Sequence, residues 1–223
     1  MMDETLHERG GDRRAEEFWE GHYRQREQVW SGNPNAVLVD VVGGLPAGRA
    51  LDLGCGEGGD AIWLAGLGWR VTAVDVSKIA LERVAARAAA EGVASRIDFQ
   101  QHDLAQTFPA GIFDLISAQY FHSPLAFPRE RILRGAARAL APDGLLLIVD
   151  HASIAPWSWN QDRATPFPTP AETLATLDLD PEQWHTERLV APQRQATGPG
   201  GQVATVTDNV IVVRRTGDRG AAR

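Results

Sequence analysis

Three aspartates and a glycine-rich run are the residues best suited to hold a ligand. The run Leu51–Asp60 reads LDLGCGEGGD and contains Asp52, whereas Asp75 and Asp103 each follow a later short run of mainly apolar residues. Glycine lets the backbone turn sharply beside a ligand, and a helix that starts after the run offers free N–H groups. Because carboxylates accept hydrogen bonds, Asp75 can bind two ribose hydroxyls and Asp103 an adenine amino group. The pattern predicts a nucleoside ligand.

The same glycines leave a second class of ligand open. Gly54, Gly56 and Gly59 satisfy the G-x-G-x-x-G pattern of dinucleotide-binding folds, which makes an NAD-dependent oxidoreductase the main alternative. An ordinary glycine-rich turn is the structural alternative. Asp52 before the loop and Asp103 at the adenine position disfavour the oxidoreductase. No lysine follows the loop as a Walker sequence requires, so a triphosphate is a poor fit.

The elements that must position these residues have the order of a doubly wound α/β fold. Short apolar runs are predicted as parallel strands at 50–53, 70–74, 96–100, 113–118 and 145–149, with a turn at 142–144. Helices follow the first, second and fourth of them and end near residues 68, 92 and 140. Strands buried on both faces are short and apolar. The three aspartates are therefore expected in the crevice at the carboxyl ends of the strands.

Further elements flank this core. Helical spacing predicts a first helix at 14–29 and a second after Asn33, which would cap it before Pro34. A loop at 152–170, a short helix at 172–177 and a hairpin of 183–194 with 202–215 are predicted at the other end. The fold class is thus α/β, a single doubly wound Rossmann-like domain with a mostly parallel seven-stranded sheet and a C-terminal antiparallel hairpin. The domain is predicted at 14–215, with its core at 49–151 and disordered ends at 1–13 and 216–223.

Composition narrows the functional classes. The 223 residues, 43% of them hydrophobic, fit one domain, and a net charge of −7 argues against a nucleic-acid partner. No apolar run approaches the roughly 20 residues of a membrane span, and the first residues are too polar for a signal peptide, so no membrane partner and a cytoplasmic location are predicted. The single cysteine, Cys55, allows no internal disulfide, and no structural zinc site is expected.

From about Arg49 to His151 the chain resembles the class I S-adenosylmethionine (SAM)-dependent methyltransferases. In that family a D-x-G-x-G-x-G loop holds the methionine part of SAM, an acidic residue after strand two holds the ribose, and an aspartate after strand three holds the adenine. The resemblance implies SAM as cofactor, S-adenosylhomocysteine as product, and no metal. The cofactor-binding residues that it implies are Asp52, Gly54, Cys55, Gly56, Gly58, Asp75, Val76, Asp103, Leu104 and Ala118.

The N-terminal segment is similar to another group of methyltransferases. Phe18-Trp19-Glu20, followed by Trp30, resembles the thiopurine and tellurite-resistance type, which acts on small molecules. The resemblance implies a small-molecule acceptor, methylated on oxygen, nitrogen, sulfur or selenium. A protein that binds SAM without catalysis is left as an alternative, and the oligomeric state is not predicted.

Two histidines and several aromatic residues are candidates for the acceptor side. His122 follows the fourth strand and His151 the fifth, so both are expected near the carboxyl edge as a general base or as a structural group. The methyl group of SAM is already activated, so a hydroxyl or ammonium acceptor needs a base and a thiolate does not. His102 is expected beside the adenine and not as a base. A lid over the pocket, with packing as the alternative, is predicted from Trp19, Tyr23, Trp30, Trp157, Trp159 and Phe167, and Trp30 is expected to contact the cofactor.

Overall fold

A central eight-stranded sheet organises the computed structural model, which describes residues 5–158, 161–162, 164–198 and 200–217. The strands are β1 (Arg49–Leu53), β2 (Arg70–Asp75), β3 (Ile97–Gln101), β4 (Phe113–Gln119), β5 (Leu140–His151), β6 (Trp184–Val190), β7 (Gln193–Thr197) and β8 (Val203–Arg215). Their order is β3-β2-β1-β4-β5-β8-β6, and β7 pairs with β8. The first five are parallel, whereas β8 runs antiparallel to β5, β6 and β7. The predicted doubly wound, mostly parallel sheet is confirmed.

Helices cover both faces of the sheet. Within the described ranges they are α1 (Thr5–Arg24), α2 (Ala36–Val42), α3 (Gly59–Gly66), α4 (Lys78–Ala90), α5 (Arg129–Arg138) and α6 (Pro170–Ala175). Buried residues of α2, α3 and α4 pack on one face of the sheet. Those of α5, with Leu174 of α6, pack on the other. Parallel strands must be apolar on both faces in such a layered fold, which explains the nearly continuous apolar runs of the sequence.

The first strand illustrates how the layers are held. Its side chains alternate between the two faces, so Ala50 packs towards α3 and α4 whereas Leu51 and Leu53 pack towards α5. Leu51 and Leu53 are almost wholly buried, and full burial of a leucine side chain stabilises a fold by about 1.5 to 3 kcal/mol. The strand therefore holds the glycine loop that follows it in a fixed position.

The N-terminal helices differ from the predicted bounds. The first begins at Thr5, so residues 5–13 are helical where disorder is predicted; no proline interrupts this part of the sequence. It ends at Arg24 instead of residue 29, because the chain then turns to meet the glycine loop. The second begins at Ala36 with Asn35 as its N-terminal cap, in place of Asn33. Asp60 accepts hydrogen bonds from the Asn35 backbone and side chain at 2.6 and 2.7 Å, which fixes that start.

The C-terminal part contains one strand more than predicted. The first arm of the hairpin is divided into β6 and β7 at Ala191 and Pro192, and proline has no N–H to continue a ladder. Strand β5 also begins earlier, at Leu140, and Asp143 at φ 63° lies inside it where a separate turn is predicted. This left-handed residue accompanies a register shift between Phe113 and Leu115 of β4. The predicted tail overlaps the described residues only at 216–217, and 218–223 lie outside them.

Candidate active site

The glycine loop after β1 is shaped by left-handed backbone and by aromatic rings. Gly54 and Gly56 have φ values of 68° and 53°. A Cβ atom on Gly54 would stand 2.9 Å from the ring of Phe121, and one on Gly56 would stand 3.2 Å from the indole of Trp30. Any side chain at either position would be strained and would push these rings away, so both positions require glycine. The rings therefore approach the loop as closely as its missing side chains allow.

Gly58 has a different reason to be glycine. Its φ is 78°, and a Cβ atom there would overlap Cγ2 of Val84 on α4. The position allows α4 to pack against the start of α3. Its predicted contact with the cofactor stays a prediction.

Asp75 links β2 to the glycine loop. Its carboxylate is 8% exposed and accepts the N–H of Gly56 through Oδ2 and the N–H of Ser77 through Oδ1, both at 2.9 Å. Burial raises the pKa of Asp75 to about 6. An ionised carboxylate has about four acceptor positions, so it can also accept hydrogen bonds from two ribose hydroxyls.

A buried acceptor without a partner lies beside the loop. Asp52 is 2% exposed, and its Oδ2 has no hydrogen-bond partner among the described residues; the same is true of the buried Oε1 of Gln119. Asp52 pairs in register with Ser117, and Gln119 lies two residues after Ser117 in β4. The side chains of Asp52, Ser117 and Gln119 therefore lie on the same face of the sheet. Burial, followed by the charge of Asp60, raises the pKa of Asp52 well above its usual range. The unpaired oxygens suit a ligand that donates hydrogen bonds, such as the ammonium group of a bound amino acid.

The third aspartate lies at the same edge of the sheet. Asp75 and Gln101 are register partners in β2 and β3, and Asp103 follows two residues later. Oδ1 of Asp103 accepts the N–H of Ala105 at 2.9 Å. Both ring nitrogens of His102 lie within hydrogen-bond distance of Thr107 and Gln100, so His102 is not free to act as a base.

The remaining predicted cofactor residues line the same strand ends. The N–H of Cys55 donates to the carbonyl oxygen of Val74, and burial raises the pKa of the Cys55 thiol. The carbonyl oxygen of Val76 accepts a bond from Gln101. Leu104 and Ala118 contribute to the apolar core on the α5 side.

The N-terminal segment covers the glycine loop. Trp30 is half-exposed, and its indole N–H donates to the hydroxyl of Tyr23 at 3.0 Å. Tyr23 is 3% exposed, and its hydroxyl stands 3.2 Å from a Cβ built on Gly56. The rings of Trp19 and His22 continue this cluster along α1. The structure thus brings predicted lid residues from this segment to the glycine loop.

The second predicted group of lid residues has a different position. The Trp157 ring fills the space beside Gly198, with an atom 2.5 Å from where a Cβ would stand. Trp157 therefore packs against the C-terminal hairpin. Trp159 lies outside the described residues, and Phe167 precedes α6 in the chain.

The two candidate histidines are neighbours, and each has its own buried aspartate. Nε2 of His122 lies 3.2 Å from Oδ1 of Asp150, and Nδ1 of His151 lies 3.8 Å from Oδ1 of Asp208. The ring centroids of His122 and His151 are 6.3 Å apart with an interplanar angle of 21°. Arg129 also binds Oδ1 of Asp150, at 2.5 Å, and so compensates the buried charge.

A hydrogen-bonded network that sequence reasoning missed supports His151. The hydroxyl of Tyr120 donates to Asp208 at 2.8 Å, Arg194 binds the same oxygen of Asp208, and the Tyr120 ring stacks on His151 at 4.3 Å. Burial raises the pKa of Asp208, but the nearby His151 ring and the bonds from Arg194 and Tyr120 outweigh burial and leave that pKa below its usual range. Asp150 could have been recognised from the sequence as a candidate, because it is a charged residue inside an apolar strand. Asp208 and Arg194 had no such signal.

Two other kinds of site are absent from the described ranges. None of the helices there combines the length and apolar character that crossing a membrane requires. The same residues hold no group of three or more His, Cys, Asp or Glu side chains placed to bind a metal ion.

Comparisons with known proteins point to one family. Residues 50–144 match the sequence model of the family described as "Methyltransferase domain". "Ribosomal RNA small subunit methyltransferase C" of Chromohalobacter salexigens is 33% identical over 129 residues, which are 56% of this chain and 38% of that protein. "Probable thiol methyltransferase 2" of Arabidopsis thaliana is 36% identical over 101 residues, 44% of this chain and 45% of that protein. The chain spans less than half the length of these two curated relatives.

Solved structures agree on the fold. The structure titled "Conversion of a Disulfide Bond into a Thioacetal Group during Echinomycin Biosynthesis" has a TM-score of 0.70 at 23% identity, covering 92% of this chain and 93% of the other. TehB of Haemophilus influenzae has a TM-score of 0.66 at 18% identity, covering 88% of this chain and 67% of the other. The family match, the glycine loop and the aspartates after β2 and β3 agree with one another. The match therefore supports a class I SAM-dependent methyltransferase domain in this part of the chain, with SAM as the cofactor that it implies.

Proposed function

We propose that this protein transfers the methyl group of SAM to a small-molecule nucleophile that binds beside His122 and His151. The observation that carries the proposal is the pair of histidines, each next to its own buried aspartate: His122 shortly after β4 and His151 at the carboxyl end of β5. Phe121, which directly precedes His122, lies beside the glycine loop, because a Cβ atom on Gly54 would stand 2.9 Å from its ring. The acceptor side and the cofactor side of the crevice are therefore adjacent.

On the cofactor side, each residue has a defined task. Asp75 accepts hydrogen bonds from the ribose hydroxyls, and Asp103 accepts one from the adenine amino group. The unpaired oxygen of Asp52 accepts a hydrogen bond from the methionine ammonium group. Trp30 covers the loop at Gly56. Bound SAM supplies a methyl group that is already activated by the positive sulfur. The task left to the protein is to hold the acceptor in line and exclude water, and such positioning lowers a barrier by about 7 to 11 kcal/mol.

On the acceptor side, His122 is the proposed base. Its Nε2 faces Asp150, and no hydrogen bond engages its Nδ1 among the described residues. If the neutral ring carries its proton on Nε2, which faces Asp150, the lone pair on Nδ1 is free to accept the proton of a hydroxyl, ammonium or thiol group. Arg129 binds the same oxygen of Asp150 and so compensates the charge of this buried carboxylate.

A small acceptor is favoured over RNA by charge. One of the similar proteins is named as a ribosomal RNA methyltransferase, and another as a thiol methyltransferase. The net charge of −7 would repel a polyphosphate backbone. We also propose that the described elements form one domain, that the protein acts in the cytoplasm, and that catalysis distinguishes it from a protein that only binds SAM.

The proposal is tested by binding and turnover. Calorimetric titration is expected to show S-adenosylhomocysteine binding in the micromolar range, about −8 kcal/mol, and no binding of NADH. Purified protein is then incubated with SAM and one acceptor at a time, namely an aromatic thiol, a catechol, a primary amine or a ribosomal RNA fragment, and S-adenosylhomocysteine formation is measured. Turnover with a small acceptor and none with RNA is the expected result. Binding of NADH alone, or turnover with RNA alone, would overturn the proposal.

A further inference from the structure

Glu57 is an acidic residue of the glycine loop whose carboxylate is bound by the N-terminal segment and by α4. It is 6% exposed, and its Oε2 accepts the backbone N–H groups of Val29 at 2.9 Å and Trp30 at 2.8 Å. Its Oε1 lies 3.2 Å from the same N–H of Val29 and 2.7 Å from Arg83. These four contacts use the acceptor capacity of a carboxylate, so Glu57 has no position left for the cofactor.

Arg83 completes this arrangement from α4. One of its nitrogens binds Glu57, and another donates to the carbonyl oxygens of Tyr23 at 2.9 Å and Arg26 at 2.7 Å. Those carbonyls lie at the end of α1, where a cation is favourable and where unpaired carbonyl groups need donors. Arg83 therefore holds the end of α1, while Glu57 holds the residues that follow it.

The consequence of both contacts is the position of Trp30. Its backbone N–H is bound to Glu57, and its indole lies 3.2 Å from the place that a Cβ of Gly56 would occupy. Residues 57 and 56 are adjacent, so the glycine loop itself carries the group that holds its own cover. A half-exposed tryptophan after a short irregular segment would otherwise sample several positions.

We propose that Glu57 is a positioning residue that fixes Trp30 over the glycine loop and so preorganises the cofactor side of the crevice. This inference rests on the cofactor site of the proposed function. Glu57 acts through Trp30 and does not touch the cofactor. Fixing the segment before binding removes an ordering cost that binding would otherwise carry, so loss of Glu57 must weaken binding through Trp30 alone.

A double-mutant cycle tests the inference. S-adenosylhomocysteine binding is measured by calorimetry for Glu57→Gln, for Trp30→Ala and for the double variant, with Glu27→Gln as an exposed control in the same segment. Each single change at Glu57 or Trp30 is expected to weaken binding about tenfold, and the double variant is expected to bind no more weakly than Trp30→Ala. The control is expected to bind as the wild type does. Equal binding by Glu57→Gln and the wild type, or additive losses in the double variant, would overturn the inference.

A second measurement does not depend on any ligand. Trypsin cleavage after Arg24 and Arg26 reports whether the segment between α1 and Trp30 is held. Glu57→Gln is expected to be cleaved faster than the wild type at a temperature well below the unfolding midpoint of both proteins. Glu57→Asp, whose shorter side chain keeps the charge but withdraws the carboxylate from Val29 and Trp30, serves if Glu57→Gln does not fold, and faster cleavage is expected there too. Unchanged cleavage in the folded variant overturns the inference, whereas failure of the wild type to bind S-adenosylhomocysteine contradicts the proposed function instead.

Discussion

The carboxylate of Asp75 accepts the backbone N–H of Gly56 at 2.9 Å, so the end of β2 is bonded directly to the loop that follows β1. The bond joins the ionisable carboxyl group of Asp75 and the glycine loop into one structural unit. Because the carboxyl ends of neighbouring parallel strands meet at the same edge, this unit lies where doubly wound folds bind their ligands. Its protonation state should therefore influence the affinity for the cofactor.

Asp75 predicts a pH dependence of cofactor binding. Burial raises its pKa to about 6, so the carboxylate is mainly ionised at pH 7 and mainly protonated at pH 5. Only the ionised group can accept hydrogen bonds from both ribose hydroxyls while it binds Gly56 and Ser77. Affinity for S-adenosylhomocysteine is therefore expected to fall about tenfold from pH 7 to pH 5, as measured by calorimetry. Asp75→Asn should bind more weakly at pH 7 and lose this dependence; an equal slope in the variant would contradict the assignment.

The close packing of Gly58 against Val84 predicts that a side chain at position 58 lowers stability and that a smaller residue at position 84 reduces this loss. Gly58→Ala places a Cβ atom on Cγ2 of Val84 and in left-handed backbone, and is expected to lower the free energy of unfolding by more than about 2 kcal/mol. Val84→Ala removes the overlapping methyl groups. Urea unfolding of both single variants and the double variant should show a smaller loss in the double variant than the sum of the single losses. Additive losses would mean that Gly58 is not required for this packing.

Tyr120 predicts a contribution of the C-terminal hairpin to the stability of the site. Its φ of 50° is costly for a bulky residue, and its hydroxyl donates to the buried Asp208 of β8. Tyr120→Phe leaves the Asp208 carboxylate with one donor fewer, so a loss of about 1 to 3 kcal/mol in the free energy of unfolding is expected. Urea unfolding measures it, and Tyr23→Phe in the N-terminal cluster serves as a comparison. A loss below about 0.5 kcal/mol would show that the Asp208 bond contributes little.

The cofactor side could be predicted from sequence because its signals are local. Asp52 lies in β1 just before the loop glycines, Asp75 ends β2 and Asp103 follows β3, so regular strand ends fix all of them. The position of Glu57 in the loop was visible too. Its partners were not, because they depend on where α1 ends and on how α4 packs against it.

The acceptor side depends on strand pairing across long stretches of sequence. His151 and Asp208 are register partners in β5 and β8, and a shift by one residue would move Asp208 to the other face. Between these two residues in the chain lie α6, the division at Pro192 and the turn that joins β7 to β8. The register could not be read from the periodicity of the sequence. The two histidines were found because each lies at or shortly after the end of a strand, whereas their pairing with Asp150 and Asp208 became visible only in the folded chain.

His122 predicts a separation of catalysis from cofactor binding. If its Nδ1 accepts the proton of the acceptor, His122→Ala should reduce turnover of a catechol by at least about 100-fold. Affinity for S-adenosylhomocysteine should be unchanged, because His122 contacts Asp150 and His151 and not the glycine loop. Turnover of an aromatic thiol, which ionises near neutral pH without a base, should fall much less.

Asp150 provides the matched comparison for that prediction. Asp150→Asn keeps the size of the side chain but removes the charge that faces Nε2 of His122, so it should lower catechol turnover in the same direction and spare the thiol. His151→Ala distinguishes the two imidazoles, because His151 faces Asp208 and not Asp150. If His151 only shapes the pocket, this variant should lower the turnover of both acceptors to a similar extent. Steady-state rates with the two acceptors decide the matter. Equal losses for catechol and thiol in His122→Ala would show that His122 positions the acceptor and does not take its proton.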